Sequence, residues 1–127
     1  MNIENVGKRV SLLIGIGFIT GVVISAIDNY AFEGEVSPVV IVALLFLTSA
    51  TFGAFFSRKG YLAAIPAWVC IPLVHIVKHL LNLPDTIYPN TYASIIKLAI
   101  FTFVVALIGF GIGILLNRFF KAAVKNN

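Results

Sequence analysis

Long apolar stretches alternate with short polar segments along the whole chain. Each stretch holds about 20 residues, the length of helix that crosses a hydrocarbon core of roughly 30 Å. The pattern predicts transmembrane helices over residues 10–27, 38–56, 61–81 and 95–116. Because little of the sequence is left for a water-soluble part, we expect one polytopic membrane domain over residues 1–127. The predicted fold is all-α, a bundle of four transmembrane helices.

Composition agrees with this assignment. Apolar residues make up 60% of the chain and charged residues 11%, whereas soluble domains average about 45–50% and about 25%. The mean hydropathy is +1.03. The net charge of +4 does not indicate nucleic-acid binding, because the basic residues lie in small groups beside the predicted spans and form no stripe on a folded face. We expect the lipid bilayer as a partner and no nucleic acid.

The positions of the basic residues predict the orientation. In the four-span arrangement most of them fall on one side, before the first span, between the second and third, and after the fourth: Lys8, Arg9, Arg58, Lys59, Arg118, Lys121 and Lys125. Cytoplasmic loops carry the excess of Lys and Arg. We therefore expect both termini in the cytoplasm of a multi-pass protein of a bacterial inner membrane or a plasma membrane. A dual topology would need balanced loops, which this chain lacks.

Glycines predict where helices approach closely. In lipid, apolar contact does not drive helices together, but small residues do so by letting backbones meet. The helix-packing candidates lie toward the cytoplasmic ends of their spans: Gly17, Gly21, Gly53, Gly109, Gly111 and Gly113. We expect the first and fourth spans to touch through their glycines. Ordinary packing is the simpler interpretation, and a constriction that gates is the functional alternative.

One group of ionisable residues falls within the predicted spans. His75, Lys78 and His79 occur at i, i+3 and i+4 in the third span, so they share one helical face. Lys97 and Asp28 are expected at a similar depth, in the outer leaflet. Ionisable side chains in a membrane usually face the protein interior or a wet cavity and mark functional sites. These five residues are the candidate ligand- or ion-binding site.

Three interpretations of this group stay open. An outward-facing cationic cavity would bind an anion, a lipid headgroup or a proton. A metal site is disfavoured because the chain has two histidines and Lys78 would repel a cation, so we expect neither a metal nor another cofactor. In a purely structural interpretation, Lys78 and Lys97 extend toward the interface, and Lys78 pairs with Asp28 or Asp85.

The sequence contains no recognisable catalytic set, since no nucleophile has a base nearby in the chain. We therefore do not expect an enzyme. Two classes of function remain. The first is a small transport or channel subunit that acts as a homo-oligomer, because four short spans alone enclose little volume. The second is a non-catalytic accessory or scaffold subunit of a larger membrane complex. Self-association or the presence of other membrane subunits would distinguish them.

Overall fold

A computed structural model describes residues 2–30 and 38–126. Within these ranges the chain is helical almost throughout, with α1 at Ile3–Tyr30, α2 at Pro38–Phe56, a 3-10 helix at Ser57–Gly60, α3 at Tyr61–Leu80 and α4 at Tyr92–Asn126. The predicted all-α class is confirmed. The first and last helices are longer than the predicted spans, because a helix can continue past the bilayer into water while the apolar stretch cannot.

Three helical stretches of the described chain are long and apolar enough to cross a membrane: Ile3–Tyr30, Pro38–Leu80 and Tyr92–Asn126. A multi-pass membrane protein is therefore confirmed. The middle stretch combines α2, the 3-10 helix and α3 and is 43 residues long. Because Pro38–Leu80 is one continuous helical stretch, three membrane-spanning stretches are established and not four. The bundle of four transmembrane helices stays a prediction.

The chain reverses direction between α2 and α3. Phe52 of α2 belongs to the same buried cluster as Ala63 of α3, although a straight helix would separate these residues by about 16 Å. Ser57 has a left-handed backbone with φ of 52°, which interrupts the α-helix. Gly60 packs against the carbonyl of Phe52 so closely that a Cβ would not fit there. This turn brings α2 and α3 side by side.

The helices associate chiefly as two pairs, α1 with α3 and α2 with α4. The two members of each pair run in the same direction, because successive glycines on one helix meet successive turns of its partner. In the α1–α3 pair, Gly17 meets Ala63 and Gly21 meets Ala67. In the α2–α4 pair, Gly109 meets Phe46 and Gly113 meets Ala50. A buried apolar cluster then joins all four helices: Ile24, Ile41, Leu45, Ile71 and Ala106.

The prediction that the first and fourth spans touch through their glycines is wrong. The glycines of α1 pack on α3, and Gly109 and Gly113 of α4 pack on α2, where Gly53 meets the backbone of α4 in return. Gly111 is not a packing residue as predicted, because within the described chain a Cβ at this position would meet no heavy atom of another element within 4 Å. Gly111 is two residues from Gly109 and Gly113, so it lies on the opposite side of the helix.

Large apolar side chains cover the outside of the helices. Ile19 of α1, Leu47 of α2 and Phe101 of α4 are 68%, 59% and 56% exposed. An extended apolar exterior of this kind is unfavourable in water, where large contiguous patches are rare on monomers. In a bilayer the same surface is the one expected, so the helices contact lipid.

Candidate functional site

Three segments of the chain bring a histidine and two carboxylates together at the end of the molecule opposite the termini. His75 of α3 lies between Asp28 of α1 and Asp85 of the segment that follows α3. Its Nδ1 is 2.7 Å from one oxygen of Asp85 and 2.9 Å from the other. Its Nε2 is 3.2 Å from a carboxylate oxygen of Asp28. We call these three residues the Asp28–His75–Asp85 cluster.

Close packing of α1 on α3 positions Asp28. Gly21 meets α3 at Ala67 and Cys70, and the two helices run in the same direction. Asp28 is two turns beyond Gly21, and His75 is about two turns beyond Ala67, so the two side chains arrive at the same level. The contact at Gly21 thus sets the register that places this carboxylate beside the imidazole.

The end of α3 positions Asp85. After Leu80, Asn82 adopts a left-handed backbone with φ of 52°, and the N–H of Leu83 donates to the carbonyl of Lys78 at 2.9 Å. This arrangement ends a helix by satisfying its last carbonyls while the chain turns back. The chain then places the Asp85 carboxylate over His75, where none of its side chain is exposed. The N–H of Thr86 donates to the same carboxylate at 2.7 Å.

Lys78 completes the charge balance of the cluster. Its ammonium donates a hydrogen bond to the side-chain oxygen of Asn29 and lies 4.0 Å from the Asp85 carboxylate, with 15% of the side chain exposed. Two carboxylates face one lysine and one imidazole. The formal charges sum to zero when His75 carries its second proton and to −1 when it does not.

Both contacts of His75 are satisfied as hydrogen bonds to ionised carboxylates when each ring nitrogen carries a proton. A neutral imidazole has one N–H donor, and its other nitrogen is a hydrogen-bond acceptor. Carboxylates accept and do not donate, so a neutral ring would turn a lone pair toward one of the two aspartates. The imidazolium form donates to both. The ring is thus buried between two carboxylate acceptors, one at each nitrogen.

His79 and Lys97 do not belong to the cluster. His79 lies one turn beyond His75, past the level of Asp28, so its Nδ1 meets the side-chain oxygen of Asn90 at 3.2 Å. Its ring packs edge-on against Tyr92 at 4.3 Å. Lys97 is exposed on α4, and it forms no ion pair within the described ranges. The structure thus brings together Asp28, His75 and Lys78 of the five candidates.

The cluster is closed, unlike the open cationic cavity of the first of the three interpretations. His75 is 2% exposed and the Asp85 side chain is fully buried. The two carboxylates neutralise the positive charges that would have attracted an anion. Across residues 2–30 and 38–126, no group of three His, Cys, Asp or Glu residues could hold a metal ion. The aspartates contact opposite nitrogens of one ring, so their oxygens do not converge on a common point.

Sequence reasoning did not include Asp85 in the candidate site and named it only as a partner for Lys78. The available signal was electrostatic. A buried histidine beside a lysine needs counter-charges, and Asp85 is the acidic residue between the third and fourth predicted spans. Asn29, which contacts Lys78, was missed as well, and it follows Asp28 directly at the end of α1.

Toward the termini, an apolar layer adjoins this end of the bundle. Leu45 and Ile71 of the four-helix cluster are 0% and 2% exposed. Beside them, the indole N–H of Trp68 donates to the carbonyl of Ala99 and to the hydroxyl of Thr102, both at 3.1 Å. These two contacts tie α3 to α4. The interior on this side of the Asp28–His75–Asp85 cluster is thus packed largely with apolar side chains.

No known family model, curated protein or solved structure matches the chain. Its chemistry is therefore inferred from its own residues.

Proposed function

We propose that the protein is a small membrane transport or channel subunit in which the Asp28–His75–Asp85 cluster binds and passes a proton. The observation that carries this proposal is a buried imidazole with a carboxylate at each ring nitrogen. Such a ring can receive a proton on one nitrogen and release one from the other. Histidine also changes charge near physiological pH.

The energetic cost of the cluster supports a functional role. On insertion scales, one Asp or Lys at the centre of a transmembrane helix costs about 2.5–3.5 kcal/mol, and the cost is smaller near the helix ends, where Asp28 and Lys78 lie. Hydrophobic residues of similar volume often replace a buried ion pair with no loss of stability. A chain that needed only to join α1 to α3 could do so with apolar contacts. Ionisable groups that face the interior of a membrane bundle, as His75 does at 2% exposure, often mark proton or ion pathways.

The proposal includes four spans with both termini in the cytoplasm. α2 and α3 have 19 and 20 residues, or about 28 and 30 Å of helix, enough to cross the hydrocarbon core once each. A single straight helix over Pro38–Leu80 would be about 65 Å long, twice the bilayer core. The side-by-side packing of α2 and α3, with Arg58 and Lys59 in the turn, supports two separate crossings.

We further propose that the transport subunit is a homo-oligomer. The apolar layer that includes Leu45 and Ile71 fills most of the interior of one bundle. Within residues 2–30 and 38–126, only isolated buried hydroxyls such as those of Ser49 and Thr102 interrupt it, so a single chain in this arrangement offers a proton that enters at His75 no continuous polar path. An interface between copies, or a rearrangement of the α1–α3 pair against α2–α4, would supply the rest of the path.

Proton flux into proteoliposomes tests this function. The purified protein is reconstituted with a pH-sensitive dye inside the vesicles, and a potassium diffusion potential drives protons inward. We expect flux above that of empty vesicles, falling to background in His75→Gln, which keeps a polar side chain but cannot carry a titrating proton. His79→Gln is the matched control and should retain flux. Wild-type flux no greater than in empty vesicles, or undiminished flux in His75→Gln, would contradict the proposal.

The second candidate function is a non-catalytic accessory subunit of a larger membrane complex. The observation that favours it is that the cluster is closed. Its contacts link α1, α3 and the segment after α3, which is a structural role. Purification from native membranes in mild detergent separates the two functions. A homo-oligomer without other proteins supports the transport subunit, whereas a second protein at fixed stoichiometry supports the accessory role.

A further inference from the structure

An open groove of about 860 Å³ lies at the end of the molecule that carries the termini. It runs between the first turns of α1 and the turn that joins α2 to α3. Its lining comes from both sides and includes Arg9, Leu12 and Leu13 of α1 with Phe56, Lys59 and Leu62 from the turn and its flanks. The Asp28–His75–Asp85 cluster is at the other end, with His75 about 21 Å along α3 from Tyr61, so the two regions are independent.

The walls of the groove change from polar to apolar along its length. Asn2, Asn5 and Arg9 line the part nearest the N-terminus, and Lys59 lies in the turn opposite them. Leu12 and Leu13 lie deeper along α1, at the level where the predicted first span has entered the hydrocarbon core. Ligand sites of about 300–1,000 Å³ that combine apolar walls with a few polar groups are typical of small-molecule binding. This one is suited to an amphiphile.

The polar part of the groove is cationic and lacks counter-charges. Arg9 and Lys59 are exposed, and neither forms an ion pair within the part of the chain that the structure describes. The neighbouring Lys8 differs, because it pairs with Glu4 at 2.8 Å. Arg forms bidentate hydrogen bonds with phosphate oxygens, and Lys binds them as a point charge. An anionic group is therefore the complement of this region.

We propose that the groove binds one anionic phospholipid, with its phosphate between Arg9 and Lys59 and an acyl chain along Leu12, Leu13 and Leu62. The amphipathic lining matches a lipid better than a soluble anion, which would leave the apolar wall unused. The lining also matches an anionic lipid better than a zwitterionic one, whose choline would face two unpaired cations. The groove opens at the level of the headgroups, where a lipid enters without leaving its leaflet.

Native mass spectrometry of the full-length protein tests the proposal. The protein is released from detergent that contains equimolar phosphatidylglycerol and phosphatidylcholine with identical acyl chains. We expect the complex with one phosphatidylglycerol to predominate. The double variant Arg9→Gln/Lys59→Gln should lose between about fivefold and about 25-fold of this preference, since each basic side chain near an anionic lipid contributes about 1 kcal/mol. Both residues are exposed, so the variant should fold.

The matched control is Lys8→Gln/Arg58→Gln, which removes the same charge from adjacent positions that do not line the groove. Its preference should stay within about twofold of wild type, the usual scatter for independent sites. An equal loss in both double variants would show attraction by net charge alone and would overturn the proposal. Unchanged preference in Arg9→Gln/Lys59→Gln would do the same. Glycerol phosphate, a headgroup without acyl chains, should not displace the lipid, and displacement at equal concentration would refute the acyl-chain contact.

Discussion

Replacing His75 with glutamine should destabilise the protein far more than the same replacement of His79, one turn farther along α3. The side chains of His75 and Asp85 are 2% and 0% exposed. Removing one partner of a buried ion pair typically costs about 3–5 kcal/mol, because the other charge is left buried without compensation. Glutamine has one amide group and can donate to one aspartate or the other, so the second carboxylate loses its partner.

Two remaining contacts place the expected loss near the lower end of that range. Asp85 keeps the hydrogen bond from the N–H of Thr86 at 2.7 Å and the ammonium of Lys78 at 4.0 Å. We therefore expect His75→Gln to lower the free energy of unfolding by about 3 kcal/mol. His79→Gln, which loses one hydrogen bond to Asn90, should cost about 1 kcal/mol or less.

The assay is reversible unfolding in mixed detergent micelles, followed by the fluorescence of the single tryptophan, Trp68. A double-mutant cycle with Asp85→Asn isolates the pair, and we expect a coupling free energy above about 1.5 kcal/mol, within the range found for residues in one ion-pair network. A loss below 1 kcal/mol in His75→Gln would refute the reasoning. So would equal losses in His75→Gln and His79→Gln, or additive effects in the cycle.

Further predictions concern packing and topology. Gly113→Leu should dissociate α2 from α4 and lower the unfolding temperature, because Gly113 contacts the backbone of α2. Gly111→Leu should leave the unfolding temperature unchanged, because Gly111 contacts no neighbouring helix of the described chain. Equal effects of the two variants would contradict the packing. Trp68→Phe should lower the free energy of unfolding by about 0.6 kcal/mol, the average for a hydrogen bond between transmembrane helices. Far-ultraviolet circular dichroism follows this variant, because it has no tryptophan, and a loss above about 2 kcal/mol would contradict the prediction. An impermeant maleimide added outside cells should label Tyr88→Cys and leave Lys59→Cys unlabelled, and the reverse labelling would exclude the proposed orientation.

The course of the helices could be predicted from the sequence because bilayer thickness fixes the length of an apolar span. The 38–56 boundaries coincide with α2. The position of the turn between α2 and α3 could be predicted, but its backbone conformation could not. The helix is interrupted at Ser57 by a left-handed backbone, and no Pro occurs between Ser57 and Gly60 to mark it. The turn itself is helical, a 3-10 helix over Ser57–Gly60, so α2 and α3 follow each other without a non-helical residue.

Helix partners could not be predicted, because a glycine shows that a close approach occurs without showing which helix approaches. Gly17 and Gly113 were both recognised as packing residues, yet their contacts are Ala63 and Ala50 on two different helices. Helical spacing would have separated Gly111 from its neighbours, since it lies on another face.

Part of the candidate site was predictable from local geometry, and part was not. The spacing of His75 and Lys78 places them on one face of a helix from local geometry alone. The counter-charge of Asp85 depends on how the chain turns back after α3, and that turn is fixed by the left-handed residue Asn82 and the end of the helix. Lys97 was included because of its depth, but depth does not determine the direction in which a side chain points.

The protonation of His75 in lipid bilayers is the most direct test of the account. The chain has two histidines, so His79→Gln leaves His75 as the single source of imidazole signals in a solid-state nitrogen NMR spectrum of the reconstituted protein. We predict that both ring nitrogens carry a bonded proton at neutral pH, each in contact with an aspartate carboxylate. A spectrum with one nitrogen unprotonated would show a neutral ring, and it would contradict the assignment of the Asp28–His75–Asp85 cluster as a site that holds a proton between two acceptors.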